Sequence, residues 1–409
     1  MDRSIFYDKK EILNKSNGYF IYIIFIIIFS PIFLSLDFSN GFKFDAWVGN
    51  LYFRPSIPIS LILLCLISIL YLKQLLKNKK LLILFGLIGL YTLLNLYNGT
   101  TRAVIVGFGM FIPVISFYIF KNLLNTLKNV YKVMYLALFS VIIIKFIFDI
   151  YHLYISLKPA IVPTISSILD SFIEYKFNTQ HYVFRSIMIY NYLDYFPFIY
   201  YLAVILSINN IKNKIMESYS LFLLIISILA VAATGSRLFS YGIVLIPILY
   251  IFYKTTKFKL ETYFYLFMLI SISVSLAIGL VDFNFNDSSL ATRNILAYKY
   301  FNDLSFLNVI LPFMSQHRME TVGSFHNELL EIFSFFGLTI IYYYYLIMKI
   351  YSGVNEEYKL ISYFLMFIII VGALIQINIS NPYVGIMLGM ILAVLTLESK
   401  NERIVNAKI

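Results

Sequence analysis

Apolar residues in this chain come in long unbroken blocks, with the polar residues gathered between them. YFIYIIFIIIFSPIFLSL (19–36) is the first such block. Others stand at about 57–72, 81–96, 103–120, 133–156, 186–207, 218–233, 238–253, 262–281, 328–348, 360–378 and 384–397. Each reaches or approaches the ~20 residues that cross a bilayer core as a helix. The pattern predicts an all-α polytopic membrane protein of about twelve transmembrane helices, folded as a single transmembrane domain over 1–409. Two stretches break the rhythm. One, 158–185, reads as a loop with a short amphipathic helix at 165–175; the other, 282–327, reads as a longer loop with short helices at 288–303 and 304–314. Amphipathic helices of this kind lie in the membrane interface.

Composition agrees with that class. Hydrophobic residues make up 60% and charged residues 13% of the chain, against roughly a quarter charged in an ordinary soluble domain. Mean hydropathy is +0.83. Cys65 is the single cysteine, which excludes an intramolecular disulfide. The first apolar block lacks a following small-residue cleavage site and reads as a retained first span.

Charge predicts orientation. Lys9, Lys10, Lys15, Lys73, Lys77, Lys121, Lys212, Lys254, Lys349 and Lys400 all fall at one side of the predicted spans. The positive-inside rule puts that side, and both termini, in the cytoplasm. The net charge of +11 is thus a topology signal and calls for no nucleic acid partner. Six of the eight arginines (Arg54, Arg102, Arg185, Arg237, Arg293 and Arg318) fall on the opposite side. Topology needs only positive charge, whereas the guanidinium fork matches phosphate oxygens in a bidentate way. The segregation points to an anion recognised at the extracytoplasmic face, against the plainer reading of arginines anchoring lipid headgroups.

Intramembrane charges are few: Lys145 and Asp149, four apart and read as a structural pair, and Asp194. Candidate chemistry concentrates outside. In ATGSR, Gly235 permits a tight turn between two spans, and Arg237 stands where the second helix begins. Helix N-termini attract phosphate, and an arginine there adds charge. In SFHNELLEIFSFFGL, Ser324 is a predicted N-cap and His326 falls in the first turn, where the positive helix end favours the neutral imidazole of a general base. Asn327 and Glu331 stand close by, Glu331 as an orienting group. His317–Arg318 and His181 are further candidates, and Tyr175, Tyr182, Tyr298 and Tyr300 suit stacking on sugars or an interfacial belt. HExxH, Walker and nucleophile-elbow patterns are absent, so no metal or cofactor is expected and the energy is expected to come from the substrate.

TGSR opening a span, an external arginine in ATRN, and FHNELLEIFSFFGL entering the next span together resemble the O-antigen ligase and polymerase superfamily, over roughly residues 218–350. Family proteins often continue the histidine helix as Gly-Leu-x-Gly; here Gly337-Leu338 is followed by Thr339-Ile340. The resemblance implies an inverting, metal-independent glycosyltransferase of the bacterial inner membrane, with its site facing the periplasm. It would act on undecaprenyl-pyrophosphate-linked glycan as donor and acceptor, among membrane lipids and with room for a chain-length regulator as partner. Arg237 and Arg293 would hold the pyrophosphate and His326 would act on the acceptor hydroxyl, with Arg318, Asn327, Glu331 and Arg185 as further binding candidates. A Wzy-type polymerase is the first expectation. A ligase or protein O-oligosaccharyltransferase of the same superfamily is the second, and a lipid-linked oligosaccharide flippase the alternative from another class.

Overall fold

The computed structural model describes residues 18–30, 35–37, 56–98, 102–125, 127, 129–156, 195–234, 237–280, 288–302, 310, 328–372 and 382–406. Helix α1 is Gly18–Phe29. A two-stranded antiparallel hairpin follows, β1 (Ser35–Asp37) with β2 (Ser56–Pro58), Leu36 standing opposite Ile57. Then come α2 (Ile59–Leu70), α3 (Leu72–Leu76), α4 (Lys79–Tyr97), α5 (Arg102–Leu124) and α6 (Val130–Ser156). The rest are α7 (Tyr195–Lys212), α8 (Glu217–Thr234), α9 (Arg237–Thr256), α10 (Leu260–Leu280), α11 (Ser288–Asn302), α12 (Glu328–Phe336), α13 (Thr339–Ser352), α14 (Lys359–Gly372) and α15 (Pro382–Asn406). The chain divides into two compact units, one of residues 1–30 with 132–255, the other of residues 31–131 with 256–409.

This is a multi-pass helical membrane protein, but the expected count of about twelve transmembrane helices is overturned. Among the described residues, five helices are long and apolar enough to cross a membrane: Lys79–Tyr97, Ala103–Leu124, Val130–Ile147, Leu238–Thr256 and Leu260–Ala277. Other expected spans are shorter helices. The block at 57–72 is α2, whose 12 residues rise only about 18 Å. The apolar part of α15 is Tyr383–Leu397. The block at 328–348 is two helices, broken at Gly337 with φ 50°. The reason is physical: an apolar window records hydrophobicity, not what the side chains face. Helix α14, with 14 residues, is apolar and buried on all sides, as a core helix is. By contrast, α9 exposes Tyr241, Val244, Ile248 and Ile251 along one stripe, and α4 exposes Ile83, Phe85, Leu90, Leu93 and Leu96. Those are faces suited to lipid.

In the first unit, α7 is the core. Phe198 through Leu206 are all buried, so the helix is enclosed rather than amphipathic. Polar side chains tie it to its neighbours. Tyr135 of α6 donates its hydroxyl to Ser220 Oγ of α8 at 2.9 Å and lies 3.0 Å from Ser207 Oγ of α7. Such bonds fix helix pairs in surroundings where the hydrophobic effect gives no preference between helix and lipid. Phe239 of α9 packs against Phe198 and Tyr201, with ring centroids 6.2 and 5.9 Å apart.

In the second unit, α5 and α15 approach most closely, through a Gly385-x-x-x-Gly389 pair. A Cβ added at Gly389 would fall 2.5 Å from the Pro113 carbonyl oxygen and 2.8 Å from the Phe117 nitrogen; one at Gly385 would fall 3.1 Å from Pro113 Cδ. Only glycine lets the two backbones meet there. Gly107 leaves room for side chains of α4 and α12 against α5, since a Cβ would lie 2.9 Å from Phe336 Cζ and 3.0 Å from Thr92 Oγ1. Helix α10 is fastened to α14 by Ser271 Oγ donating to the Ile370 carbonyl at 3.1 Å, and by edge-to-face packing of Tyr263 on Tyr363 at 4.7 Å.

Candidate functional site

The long loop expected at 282–327 contributes one described helix, α11, and leads into α12. In α11 the residues Asn294, Ala297 and Tyr300 recur at three-residue spacing and are all buried, while Ile295 and Lys299 on the far side are exposed. That face meets α12. Ala297, Tyr300 and Leu330 form a small cluster with Phe301 and Phe333 packed on it. Helix α11 also lies against α10, so the loop helix is held on two sides. Arg293 stands in α11 one turn before Ala297.

Helix α12 is nearly all buried, with Leu329, Leu330, Ile332, Phe335 and Phe336 enclosed. Glu331 is a buried ionisable group among them, only 5% exposed, and it has an interaction partner. A buried carboxylate without one would carry a cost of several kcal/mol. Ser334 Oγ donates to the Glu331 main-chain carbonyl at 2.8 Å. The helix stops where Gly337 turns left-handed, its N–H bonding to the Phe333 carbonyl at 2.9 Å. Near that end Asn95 of α4 donates to the Phe335 carbonyl through Nδ2 at 2.9 Å.

The candidate residues thus fall as follows. Arg237 is the first residue of α9, two positions after α8 ends at Thr234. It belongs to the first unit; Arg293 and Glu331 belong to the second. Through the α11–α12 packing, the helix bearing Arg293 meets the helix bearing Glu331. His326, Asn327, Arg318, Arg185, His317 and His181 lie outside the described residues, as do Asp194, Tyr175 and Tyr182. Lys145 in α6 is buried and has a partner. Tyr300, expected as an exposed ring, is 2% exposed and belongs to the cluster beneath α11, so it has no face for a sugar.

Two polar residues were missed from sequence. Asn294 is fully buried beside Arg293 and has a partner; Asn95 is fully buried in α4 and makes two directed bonds. The signal was there for Asn95, an amide within the apolar stretch LYTLLNLY, because an amide inside a bilayer-length helix needs a partner. Among the described residues, no group of three or more His, Cys, Asp or Glu side chains is placed to hold a metal ion. Compared with known proteins, the chain matches no family model, no curated sequence and no solved structure.

Proposed function

We propose that this protein polymerises undecaprenyl-pyrophosphate-linked oligosaccharide repeat units at the extracytoplasmic face, by inverting, metal-independent glycosyl transfer. In this reading an acceptor hydroxyl attacks the anomeric carbon of the donor, the glycosidic bond forms, and the bond to the lipid pyrophosphate breaks with that group leaving. His326 takes the hydroxyl proton. Negative charge grows on the departing phosphate oxygen, and Arg293 and Arg237 are the groups assigned to stabilise it. Preorganised donors aimed at developing charge are among the strongest catalytic devices available.

The observation that carries the reading is the packing of α11 on α12. It joins the helix bearing ATRN to the helix that the FHNELLEIFSFFGL motif enters, through Ala297, Tyr300 and Leu330. Two motifs more than thirty residues apart in the chain thereby belong to one local structure. The buried Glu331 in the second of them is the kind of group that orients a base or an acceptor.

The test is cellular and chemical. Cells lacking the protein should carry single repeat units still transferred to the outer-surface lipid, and purified protein in nanodiscs should lengthen lipid-linked repeats without added metal. Loss of all attached glycan would turn the assignment to a ligase. Lipid-linked repeats retained on the cytoplasmic side would turn it to a flippase.

A further inference from the structure

The turn from α3 into α4 gathers Lys73, Lys77, Lys79 and Lys80 within one short stretch. All four side chains are exposed, and none makes an ion pair among the described residues. The sequence around them offers no counterion, since from Ala46 to Phe148 it contains no aspartate or glutamate. Elsewhere in the same unit, Lys349 pairs with Glu261 and Lys359 with Glu356.

Helix stability does not account for the cluster. Lys73 and Lys77 are one helical turn apart, where like charges repel. Lys79 and Lys80 open α4, and cations at a helix N-terminus oppose its dipole. The backbone nonetheless holds the turn in place. Asn78 Oδ1 accepts the Leu81 N–H at 3.3 Å, and the Tyr342 hydroxyl of α13 donates to the Lys80 carbonyl at 3.1 Å. The N–H groups of Lys77 and Asn78 bond back to the Gln74 and Leu75 carbonyls at 3.2 and 3.0 Å. The ammonium groups are therefore displayed from a fixed frame that lacks negative charge.

Apolar residues indicate where that charge comes from. Helix α3 buries Leu75 and leaves Leu72 and Leu76 exposed, beside Lys73 and Lys77. Leu70, just before it, is 80% exposed, and Leu82 and Ile83 continue the exposed apolar surface in α4. Such a surface calls for hydrocarbon, while lysine stems run along it and place the ammonium among headgroups. A soluble anion would satisfy the lysines and leave the leucines in water; a phospholipid satisfies both.

We propose that the α3–α4 turn is a binding site for an anionic phospholipid, whose headgroup phosphate meets the lysines while its acyl chains cover the exposed leucines of α3. Each ammonium near an anionic bilayer surface contributes roughly a fivefold gain in association. All of these residues belong to the second unit, and the site does not depend on which reaction the protein performs.

The full chain in detergent, titrated with phosphatidylglycerol or with phosphatidylcholine of the same acyl chains and read by native mass spectrometry, tests the site. The native protein should prefer phosphatidylglycerol by about fivefold or more. The pair Lys73→Gln and Lys77→Gln should weaken phosphatidylglycerol binding by roughly tenfold and leave phosphatidylcholine unchanged. Lys257→Gln with Lys259→Gln removes equal charge from the exposed turn before α10, and should change binding by less than about twofold. Lys73→Arg with Lys77→Arg keeps the charge and should bind as the native chain does, which separates lost charge from a folding defect. Equal losses in the two glutamine pairs would mean that net charge alone is read, and would overturn the site. So would equal affinity of the native chain for both lipids, or displacement of the lipid by inorganic phosphate at the same concentration.

Discussion

Two helix junctions of the second unit are held by opposite means. Between α5 and α15, Gly385 and Gly389 bring one backbone against Pro113 and Phe117 of the other, and shape alone sets the position. Between α11 and α12 the apolar contact is a cluster of three buried residues, and the end of α12 is fixed by a directed bond from Asn95. Close packing of backbones gains dispersion along its whole length and resists local opening. A small cluster with a few hydrogen bonds specifies geometry at a modest energy, so it opens more readily. The lesson is a division of labour: the glycine-packed pair is scaffold, while on the proposed function the junction bearing Arg293 and Glu331 is where accuracy matters more than strength.

The widest separation between the two should come from the arginines. Arg293→Ala and Arg237→Ala are each expected to raise the polymerisation barrier by about 2.7–4 kcal/mol, a loss of about a hundred- to a thousandfold in kcat. The apparent melting temperature in nanodiscs should stay that of the native protein. Native-like polymerisation by either variant at matched expression would remove that arginine from the chemistry.

Gly389→Ala probes the scaffold from the other direction. Its Cβ would sit 2.5 Å from a backbone oxygen and 2.7 Å from Ser116 Cβ, so the helices must part. Overpacking of this sort costs about 1–3 kcal/mol. Thermal unfolding should reveal it, while activity per folded molecule should change little. Gly86→Ala in α4 is the matched control, because nothing lies within 4 Å of a Cβ there. It should be neutral or gain up to about 1 kcal/mol from reduced chain entropy. If both substitutions destabilise equally, close approach is not what holds α5 to α15.

Seen from sequence, these junctions differ as well. The helix expected at 288–303 is α11, because its polar and apolar residues alternate with helical period. Helix α8 ends at Thr234 and α9 begins at Arg237; Gly235, the expected turn residue, lies outside the described residues. The break at Gly337 was hidden: ELLEIFSFFGLTIIYYYYLIM reads as one continuous block, and glycine is common inside membrane helices. The number of spans was beyond reach for a related reason, since a helix enclosed by protein, such as α14, has the same hydropathy as one facing lipid. Asn95 and Phe335 are 240 positions apart, and no local pattern encodes such a pair.

The smallest effect expected lies at the Lys349–Glu261 pair, which bridges the end of α13 and the start of α10 at 3.1 Å. The hydrogen bond that Lys349 donates to Glu261, then the charge of Glu261, hold the Lys349 ammonium above the usual lysine pKa, with Tyr345 and Tyr265 adding to the shift. A folded-state pKa raised above the unfolded one means a contribution fully present below the usual lysine value. It is lost as pH climbs through the raised value. Both partners are well exposed, so solvent screens the pair and the contribution to stability is slight. A double-mutant cycle of Lys349→Met and Glu261→Gln, read by thermal unfolding, should give a small coupling at about pH 8 that disappears by about pH 12. Added salt should shrink it at the lower pH, because an exposed ion pair is screened. A coupling that persists unchanged to about pH 12 would mean that it does not depend on the charge of Lys349.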